Sequence, residues 1–280
     1  MNKFLRQFLR ALSATAPALA ANVAARLWFR IPKPRVSDEA QEVLATGERF
    51  EVDVDGIRVV GWRWGKGNRS PVVLVHGWGG YAGQLHAFVQ PFVAAGHDVL
   101  TFDAPSHGDS GASQLGPRHA TLFEFADALL RITRDAKQIA GVVAHSGGCA
   151  AVAWTLATHP EWRPARIVFI APFGRPAHYM ALFQRTLGLS DRAMQLFREN
   201  TERRFHFRWV DLEVPAIAER VKTPPLLVVH DREDRETSFE DGAAIAAKWP
   251  NARLQPTTGL GHNRILRDAV TIDAAVRFIG

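Results

Sequence analysis

The residues around Ser146 indicate that this serine could carry out covalent chemistry. It follows an apolar run at residues 139–144, and a second, alanine-rich apolar run begins at Ala150. This pattern predicts a strand, a very tight turn and a helix. At so sharp a turn the serine hydroxyl projects beyond the sheet edge, and the amides of the helix N-terminus point to the same place, where a negative oxygen is stabilised. Ser146 is therefore a candidate nucleophile.

A glycine-rich segment supplies the groups that such a nucleophile needs beside it. Residues 76–80 read His-Gly-Trp-Gly-Gly and directly follow a short run of valine and leucine, which predicts a turn after a buried strand. The tetrahedral intermediate of acyl transfer is stabilised by backbone N–H groups aimed in advance at its oxyanion. By position, the amides of Trp78 and Gly147 are the predicted donors, and His76 and Gly77 are predicted to contact the substrate.

The candidate base and acid come late in the sequence. Only one of the eleven histidines, His262, follows the last acidic cluster, and it lies in a glycine-rich loop before the final predicted helix. Such a loop can bring an imidazole across the strand ends to the serine. Asp234 is the preferred acid, because a residue a few positions past a strand end can turn inward to orient the imidazole. Asp231 and Glu233 remain alternatives.

Alternating strands and helices position these residues in the predicted fold. Residues 50–64 alternate apolar and polar side chains around Asp55-Gly56, which predicts a β-hairpin. Continuous apolar strands then alternate with helical stretches, a pattern that indicates a mostly parallel sheet covered by helices on both faces. The predicted strands are 72–75, 98–102, 139–144, 167–170, 226–230 and 252–256, and the predicted helices are 82–95, 119–136, 147–158, 239–248 and 263–279.

One long gap interrupts the alternation between Ile170 and Leu226. A structureless loop of that length is uncommon in a compact domain, so residues 174–213 are predicted to form a small helical cap over the site. Phe173 and Tyr179 are predicted to contact the substrate. Six further large side chains could line an acyl pocket or only pack the cap onto the sheet: Met180, Phe183, Phe197, Phe205, Phe207 and Trp209.

Residues 1–36 are predicted to form a basic, apolar helical extension ahead of the main domain at 48–280. Apolar residues repeat at helical spacing at positions 4, 8 and 12, with lysine and arginine between them. Three roles fit this pattern. It resembles a secretory signal with a cleavage site at residues 18–20, or a membrane-surface helix that makes peripheral contact through residues 1–30. The third role is a helix packed on the domain or on a partner subunit.

The composition limits the class of protein. The 280 residues are 47% hydrophobic and 22% charged, which is typical of a globular protein with one large domain. The net charge is +6, the arginines do not run together, and there is no zinc-ligand spacing or helix-turn-helix pattern, so no nucleic-acid partner is expected. Cys149 is the only cysteine, which excludes an intramolecular disulfide. The expected location is the cytoplasm, or a membrane or the exterior if the N-terminal segment anchors or exports the chain.

Five motifs in order resemble those of the α/β-hydrolase superfamily of serine esterases, of the small carboxylesterase type. They lie at residues 76–80, 102–110, Ser146, 230–234 and 261–262. The resemblance runs from about residue 50 to the end and implies an α/β-hydrolase fold with the catalytic order serine, acid, histidine. The sequence departs from the family pattern at Ala144 and Cys149, and Asp231 stands where glycine usually follows the strand, which leaves the choice of acid open.

The expected activity follows from these residues together. The chain is expected to be a serine hydrolase that cleaves small-molecule carboxylic esters through Ser146, His262, Asp234 and an acyl-enzyme, without cofactor or metal. A thioesterase or peptidase that uses the same triad is the alternative among enzymes. A non-catalytic protein that binds a ligand in the pocket is the alternative from another class. The chain is expected to be a monomer or a homodimer.

Overall fold

The computed structural model describes residues 3–67 and 69–280, and only the backbone of Lys3 and Leu5. Residues 1 and 2 of the predicted N-terminal extension, and the side chains of Lys3 and Leu5, lie outside this description. The described residues form one eight-stranded sheet with helices on both faces.

The central sheet is mostly parallel, as the alternation of strands and helices predicts. Its spatial order is β1-β2-β4-β3-β5-β6-β7-β8. The hairpin β1–β2 and the pair β2–β4 are antiparallel, and all other neighbours are parallel. The strands are β1 (Glu48–Val54), β2 (Ile57–Trp64), β3 (Pro71–Val75), β4 (Asp98–Phe102), β5 (Gly141–His145), β6 (Ile167–Ile170), β7 (Leu226–Asp231) and β8 (Ala252–Thr257).

Helices cover both faces because the central strands are apolar on both sides. Every residue of β3, β4, β5, β6 and β7 is buried. The helices are α1 (Lys3–Thr15), α2 (Pro17–Trp28), α3 (Asp38–Ala45), α4 (Val89–Ala94), α5 (Leu122–Thr133), α6 (Gly147–Thr158), α7 (Pro176–Leu187), α8 (Asp191–Phe205), α9 (Val214–Arg220), α10 (Phe239–Lys248), α11 (Gly261–Arg264) and α12 (Ala269–Ile279).

Four helices, α1, α2, α7 and α8, pack together, and we refer to them as the lid. Small side chains on α2, including Ala21 and Ala24, allow it to lie close against α8. The lid has its own apolar core, which contains Leu9, Met194 and Phe197. The separation of the chain into an extension, a main domain and a cap insertion at 174–213 stays a prediction, because α1 and α2 pack with α7 and α8 into one group.

Hydrogen bonds join the two halves of the lid and hold it to the sheet domain. Ser190 N donates to Ser13 Oγ at 2.6 Å, and Ser190 Oγ donates to Ser13 O at 3.0 Å. The segment after α2 pairs with the loop before α5 through Ile31 N to Arg118 O at 2.8 Å. Because these bonds link residues far apart in sequence, they fix where the N-terminal helices lie. No helix within the described range is both long and apolar enough to cross a membrane.

Phe169 in β6 is fully buried and packs edge-on against Trp249, with ring centroids 5.7 Å apart. We predict that Phe169→Ala lowers the free energy of unfolding by about 3–5 kcal/mol, because it removes apolar contacts and leaves a cavity. Urea denaturation followed by fluorescence measures the change. Val270→Ala is the control, since that side chain is 62% exposed. A loss for Phe169→Ala no larger than that of the control would contradict this packing.

Candidate active site

Ser146 lies at the junction of β5 and α6 in a strained backbone conformation. Its φ of 50° and ψ of −119° are rare for a residue with a side chain and persist only where the surroundings fix them. Ser146 N donates to Ile170 O at 3.0 Å, and Phe173 N donates to Ser146 O at 3.2 Å. A Cβ at Gly148 would lie 2.5 Å from His76 O. Glycine at 148 is therefore required for α6 to approach the end of β3 so closely.

The backbone amides of Trp78 and Gly147 lie close together beside Ser146. A Cβ at Gly147 would lie 3.4 Å from Trp78 N, and a Cβ at Gly77 would lie 3.0 Å from Ser146 Cβ. Within residues 3–67 and 69–280, Trp78 N has no hydrogen-bond acceptor. Gly147 is the first residue of α6, where an amide has no partner inside the helix. Two N–H groups are thus available to an oxygen held next to Ser146.

Two buried histidines support the turn at residues 77–80. Gly79 N donates to His107 Nε2 at 3.1 Å, and Ala104 N donates to His76 Nε2 at 3.1 Å. Burial lowers the pKa of His107 to about 4 and lowers the pKa of His76 well below its ordinary value. Both rings are therefore neutral at pH 7, so that each keeps one nitrogen as an acceptor.

His76 and Gly77, which the sequence analysis assigned to substrate contact, have other surroundings. The His76 side chain is fully buried, and its Nδ1 lies 2.8 Å from Gly77 O. Gly77 N donates to Gln84 Oε1 at 2.7 Å. These contacts hold the turn in shape, and they engage both ring nitrogens of His76 with the protein backbone. The expected contact of His76 and Gly77 with the substrate stays a prediction.

The segment that follows α2 contacts the same turn. Trp78 Nε1 donates to Arg30 O at 3.1 Å. A Cβ at Gly79 would lie 2.3 Å from Pro32 Cγ, and Gly79 has a φ of +73°, so both space and backbone favour glycine there. The N-terminal segment therefore holds Trp78, whose backbone amide is one of the two amides beside Ser146. No motif in the sequence indicates this contact.

Asp234 and His262 form a close, buried pair. His262 Nδ1 lies 2.7 Å from Asp234 Oδ2, and the Thr237 hydroxyl lies 3.0 Å from the same oxygen. The backbone amides of Glu236 and Thr237 donate to Asp234 Oδ1. Burial alone would raise the pKa of Asp234, but hydrogen bonds from His230 and His262 outweigh it and lower the pKa well below its ordinary value. Asp234 is therefore ionised at pH 7 and accepts the Nδ1 proton of His262.

The other two candidate acids lie elsewhere. Asp231 is fully buried and its Oδ2 accepts hydrogen bonds from Thr257 Oγ1 at 2.8 Å and Leu260 N at 3.0 Å. These bonds anchor the loop that carries His262. Glu233 is exposed to solvent. Of the three carboxylates, the structure brings Asp234 against the imidazole.

His145 fixes the backbone of His262 beside the serine. His145 Nε2 lies 3.0 Å from His262 O, and the two ring centroids are 4.6 Å apart. Burial lowers the pKa of His145 to about 3, so its neutral ring donates this hydrogen bond at pH 7. Since Ser146 is the next residue, this contact holds the His262 loop against the turn. In the sequence, the position of His145 next to Ser146 is the signal for a side chain that packs against neighbouring loops.

An apolar cavity of about 520 Å³ opens onto Ser146 and Gly147. Phe173 and Tyr179 line it, and their ring centroids are 4.4 Å apart. Of the six other large side chains, Phe183, Phe207 and Trp209 line it, whereas Met180 and Phe197 are buried in the lid core and Phe205 packs against that core. The contribution of α2 and the residues after it was not predicted. The wall also includes Leu27, Trp28, Phe29, Arg30, Trp78, Leu122, Phe123, Ala150, Pro176, Leu182, Thr186 and Leu212.

A comparison with known protein families matches residues 72–274 to the one described as the alpha/beta hydrolase family. The chain belongs to this family. The match spans the two-amide turn, the strained serine and the Asp234–His262 pair. Among the described residues, no group of three or more histidine, cysteine, aspartate or glutamate side chains is placed to hold a metal ion.

Solved structures of other α/β-hydrolases share the fold. A membrane phospholipase A, described as a bacterial virulence factor, is 18% identical with a TM-score of 0.64 and covers 100% of this chain and 98% of its own. Est1E from Butyrivibrio proteoclasticus, with ferulic acid bound, is 18% identical with a TM-score of 0.61, covering 82% and 96%. The thioesterase domain of the curacin biosynthetic pathway is 15% identical with a TM-score of 0.59, covering 83% and 98%. None of the curated proteins matches the sequence significantly.

The buried Asp103 beside the site makes the stability of this α/β-hydrolase depend on pH. Its carboxylate accepts the amides of Ala82 at 2.6 Å and Asp109 at 2.8 Å, and burial raises its pKa to about 6. Because the folded-state pKa lies above the unfolded value, the stabilisation is present below about pH 4 and is lost as pH rises through about 6. The loss amounts to about 3 kcal/mol.

We therefore predict that the unfolding free energy of Asp103→Asn lacks this decline. Urea denaturation from about pH 4 to 7 measures the free energy of unfolding of both proteins. The value for wild type minus the value for Asp103→Asn should fall steadily as pH rises. Asp135→Asn, at an exposed position, is the control and should give a constant difference. Parallel profiles for wild type and Asp103→Asn would show that Asp103 ionises near its ordinary pKa.

Proposed function

We propose that this chain is a serine hydrolase that cleaves carboxylic esters. The observation that carries the proposal is the coincidence of three features at one place: a strained serine, two free amides beside it and a histidine paired with a buried carboxylate. Each feature alone occurs in proteins without activity. Their combination is what acyl transfer through a covalent intermediate requires.

The first half of the reaction forms the acyl-enzyme. Since Asp234 accepts the Nδ1 proton of His262, the Nε2 lone pair is the base that takes the proton of Ser146 Oγ. The serine oxygen attacks the ester carbonyl carbon, and the amides of Trp78 and Gly147 stabilise the resulting oxyanion. Each such donor contributes about 3–4 kcal/mol to the transition state. When the intermediate collapses, the alcohol leaves with the proton from His262.

The second half releases the acid. Water enters, gives a proton to His262 Nε2 and attacks the acyl carbonyl. The oxyanion again accepts the Trp78 and Gly147 amides, and Ser146 leaves with the proton returned by His262. Asp234 stays ionised throughout and stabilises the imidazolium that forms twice in each cycle.

The cavity supports an ester with an apolar acyl or aryl group. Its walls are mainly aromatic and aliphatic side chains, and about 520 Å³ lies within the range of small-molecule pockets. Tyr179 adds a fixed polar group, because its hydroxyl accepts a hydrogen bond from Ser238 N at 3.1 Å. A thioester presents the same carbonyl geometry, so thioester hydrolysis is the second activity to assay.

We predict that Ser146→Ala abolishes both covalent labelling by a fluorophosphonate and hydrolysis of p-nitrophenyl esters, with a loss of about 10⁴-fold or more. Asp234→Asn should lower kcat by about 10⁴-fold, because it leaves the imidazole in the wrong tautomer. Asp98→Asn is the matched control, because this buried aspartate accepts hydrogen bonds from the amides of Lys66 and Arg69 and not from the His262 loop; it is assayed at a temperature where the variant is folded. Acyl thioesters and a peptide mixture are assayed in parallel.

Two results would overturn the proposal. If folded wild type neither labels nor hydrolyses any ester or thioester, the site binds a ligand without catalysis. If labelling persists in Ser146→Ala, another residue is the nucleophile.

Chain-length preference tests the role of the cavity. Each methylene that enters it contributes about 0.8 kcal/mol, which is about fourfold in kcat/KM. Wild type should therefore prefer p-nitrophenyl octanoate to acetate. Phe183→Ala enlarges the cavity next to Trp28, where the ring centroids are 5.2 Å apart, and should move the preference to longer chains. Val210→Ala, at a 58% exposed position, should leave it unchanged. An unchanged profile in Phe183→Ala would place the acyl chain elsewhere.

A further inference from the structure

Positive charge is concentrated in the first residues of the chain. Residues 1–37 contain seven lysines and arginines and no aspartate or glutamate, whereas the whole chain has 34 basic and 28 acidic residues. The remaining 243 residues therefore carry one more acidic than basic side chain. The excess positive charge of the protein is thus entirely in the segment that contains α1, α2 and the strand-like connection after them.

Six of these basic side chains face solvent. Arg6, Arg10, Arg26, Arg30, Lys33 and Arg35 are exposed. Within residues 3–67 and 69–280, none of these six forms an ion pair. Arginines elsewhere, such as Arg58, Arg175 and Arg220, pair with carboxylates. The N-terminal charges are therefore available to a partner outside the chain.

Apolar side chains are exposed on the same segment. Phe4 and Phe8 lie one helical turn apart on α1 and are 79% and 60% exposed, and Leu19 on α2 is 54% exposed. Leu9, the residue after Phe8, is fully buried in the lid core. Arg6 and Arg10 each lie two residues from Phe8 and therefore on a different face of α1. A helix with exposed aromatic side chains on one face and arginines on another has the character of a helix that lies in a membrane interface. A highly charged partner without apolar surface would leave these phenylalanines in water.

The segment also adjoins the entrance of the apolar cavity. Residues 27–30 form part of the cavity wall, and Leu182 on α7, 47% exposed, belongs to the same wall. Helix α1 packs against α7, and the stems of Arg6 and Arg10 approach Gly188 at its end. A surface that contacts α1 and α2 would therefore lie next to the route by which an apolar ligand reaches Ser146.

We propose that α1 and α2 form a docking surface for a bilayer that contains anionic lipids. Phe4, Phe8 and Leu19 insert among the acyl chains at the headgroup boundary, and the unpaired lysines and arginines bind the lipid phosphates. Both kinds of contact are needed, because apolar burial by two short helices is weak and charge alone is screened by salt. Docking of α1 and α2 on the bilayer does not depend on hydrolysis. Delivery of a lipid ester to Ser146 rests in addition on the proposed function.

Vesicle co-sedimentation of the full chain tests this inference. Ser146→Ala is used alongside wild type so that no lipid is hydrolysed. Both should bind vesicles of phosphatidylcholine mixed with phosphatidylglycerol at least about tenfold more tightly than vesicles of phosphatidylcholine alone, and salt should weaken binding. Each basic residue near an anionic surface contributes about fivefold in affinity, so Arg6→Gln with Arg10→Gln should weaken binding by more than tenfold.

Two further variants separate insertion from charge. Phe8→Ser should weaken binding to the mixed vesicles without changing its salt dependence, because it removes apolar burial and leaves the charges. The matched control is Arg253→Gln with Val270→Gln, which removes one exposed arginine and one 62% exposed apolar side chain far from the lid. The control should bind as wild type does. Hydrolysis of a water-soluble p-nitrophenyl ester is measured for every variant that retains Ser146, to show that the site is intact.

Three outcomes would overturn the proposal. In the first, wild type and Ser146→Ala do not bind the mixed vesicles, and in the second, the control loses as much binding as the α1 variants. In the third outcome, analytical ultracentrifugation finds a dimer that Phe8→Ser dissociates while no vesicle is bound, and the surface is then an interface between two copies of this chain. Loss of ester hydrolysis with vesicle binding intact would count against the proposed function and leave docking standing.

Discussion

The strained backbone of Ser146 is the feature on which the rest of the site depends. A residue with a side chain in that conformation costs about 1–3 kcal/mol, so neighbouring structure must hold it. Two restraints do so: the hydrogen bond from Ser146 N to Ile170 O, and the close approach of α6 to the end of β3 at Gly148. The same approach brings the turn at 77–80 against the start of α6. The exposed hydroxyl and the two adjacent amides are therefore consequences of one packing contact.

Neutral imidazoles are the means by which this α/β-hydrolase joins backbone segments around the site. His76, His107 and His145 are buried, and burial lowers the pKa of each. A neutral imidazole provides one donor and one acceptor at fixed positions, so it can bridge two segments without the desolvation cost of a buried charge. His262 differs from these three because its Nδ1 meets an ionised carboxylate. The three surrounding rings therefore stay in one protonation state.

Local pattern was sufficient to predict much of the sheet and the serine turn. Strands 98–102 and 167–170 and helices 147–158 and 239–248 have the predicted bounds, because long apolar runs and abrupt glycine-rich ends leave few alternatives. The position of Asp234 against His262 could be ranked above Asp231 from the distance past the strand end. That contact is visible only in the structure, since both aspartates are buried or half-buried and both bond to the segment at residues 257–262.

The part that pattern could not predict is where the N-terminal helices lie. An alanine-rich helix with a basic start fits a signal, a surface helix or a packed helix equally well, and only tertiary contacts distinguish them. In the structure Ala20, Ala21 and Ala24 are buried against α8, and Arg30 O accepts the Trp78 indole. The wall of the cavity is therefore built from two regions that are more than a hundred residues apart.

Substitutions in α2 or α7 can reshape this wall without disturbing the sheet, because the lid has its own apolar core. The serine turn and its amides, by contrast, tolerate little change, since each depends on atoms of its neighbours at contact distance. Most of the cavity wall and the serine turn thus belong to separate packing units, joined at Trp78.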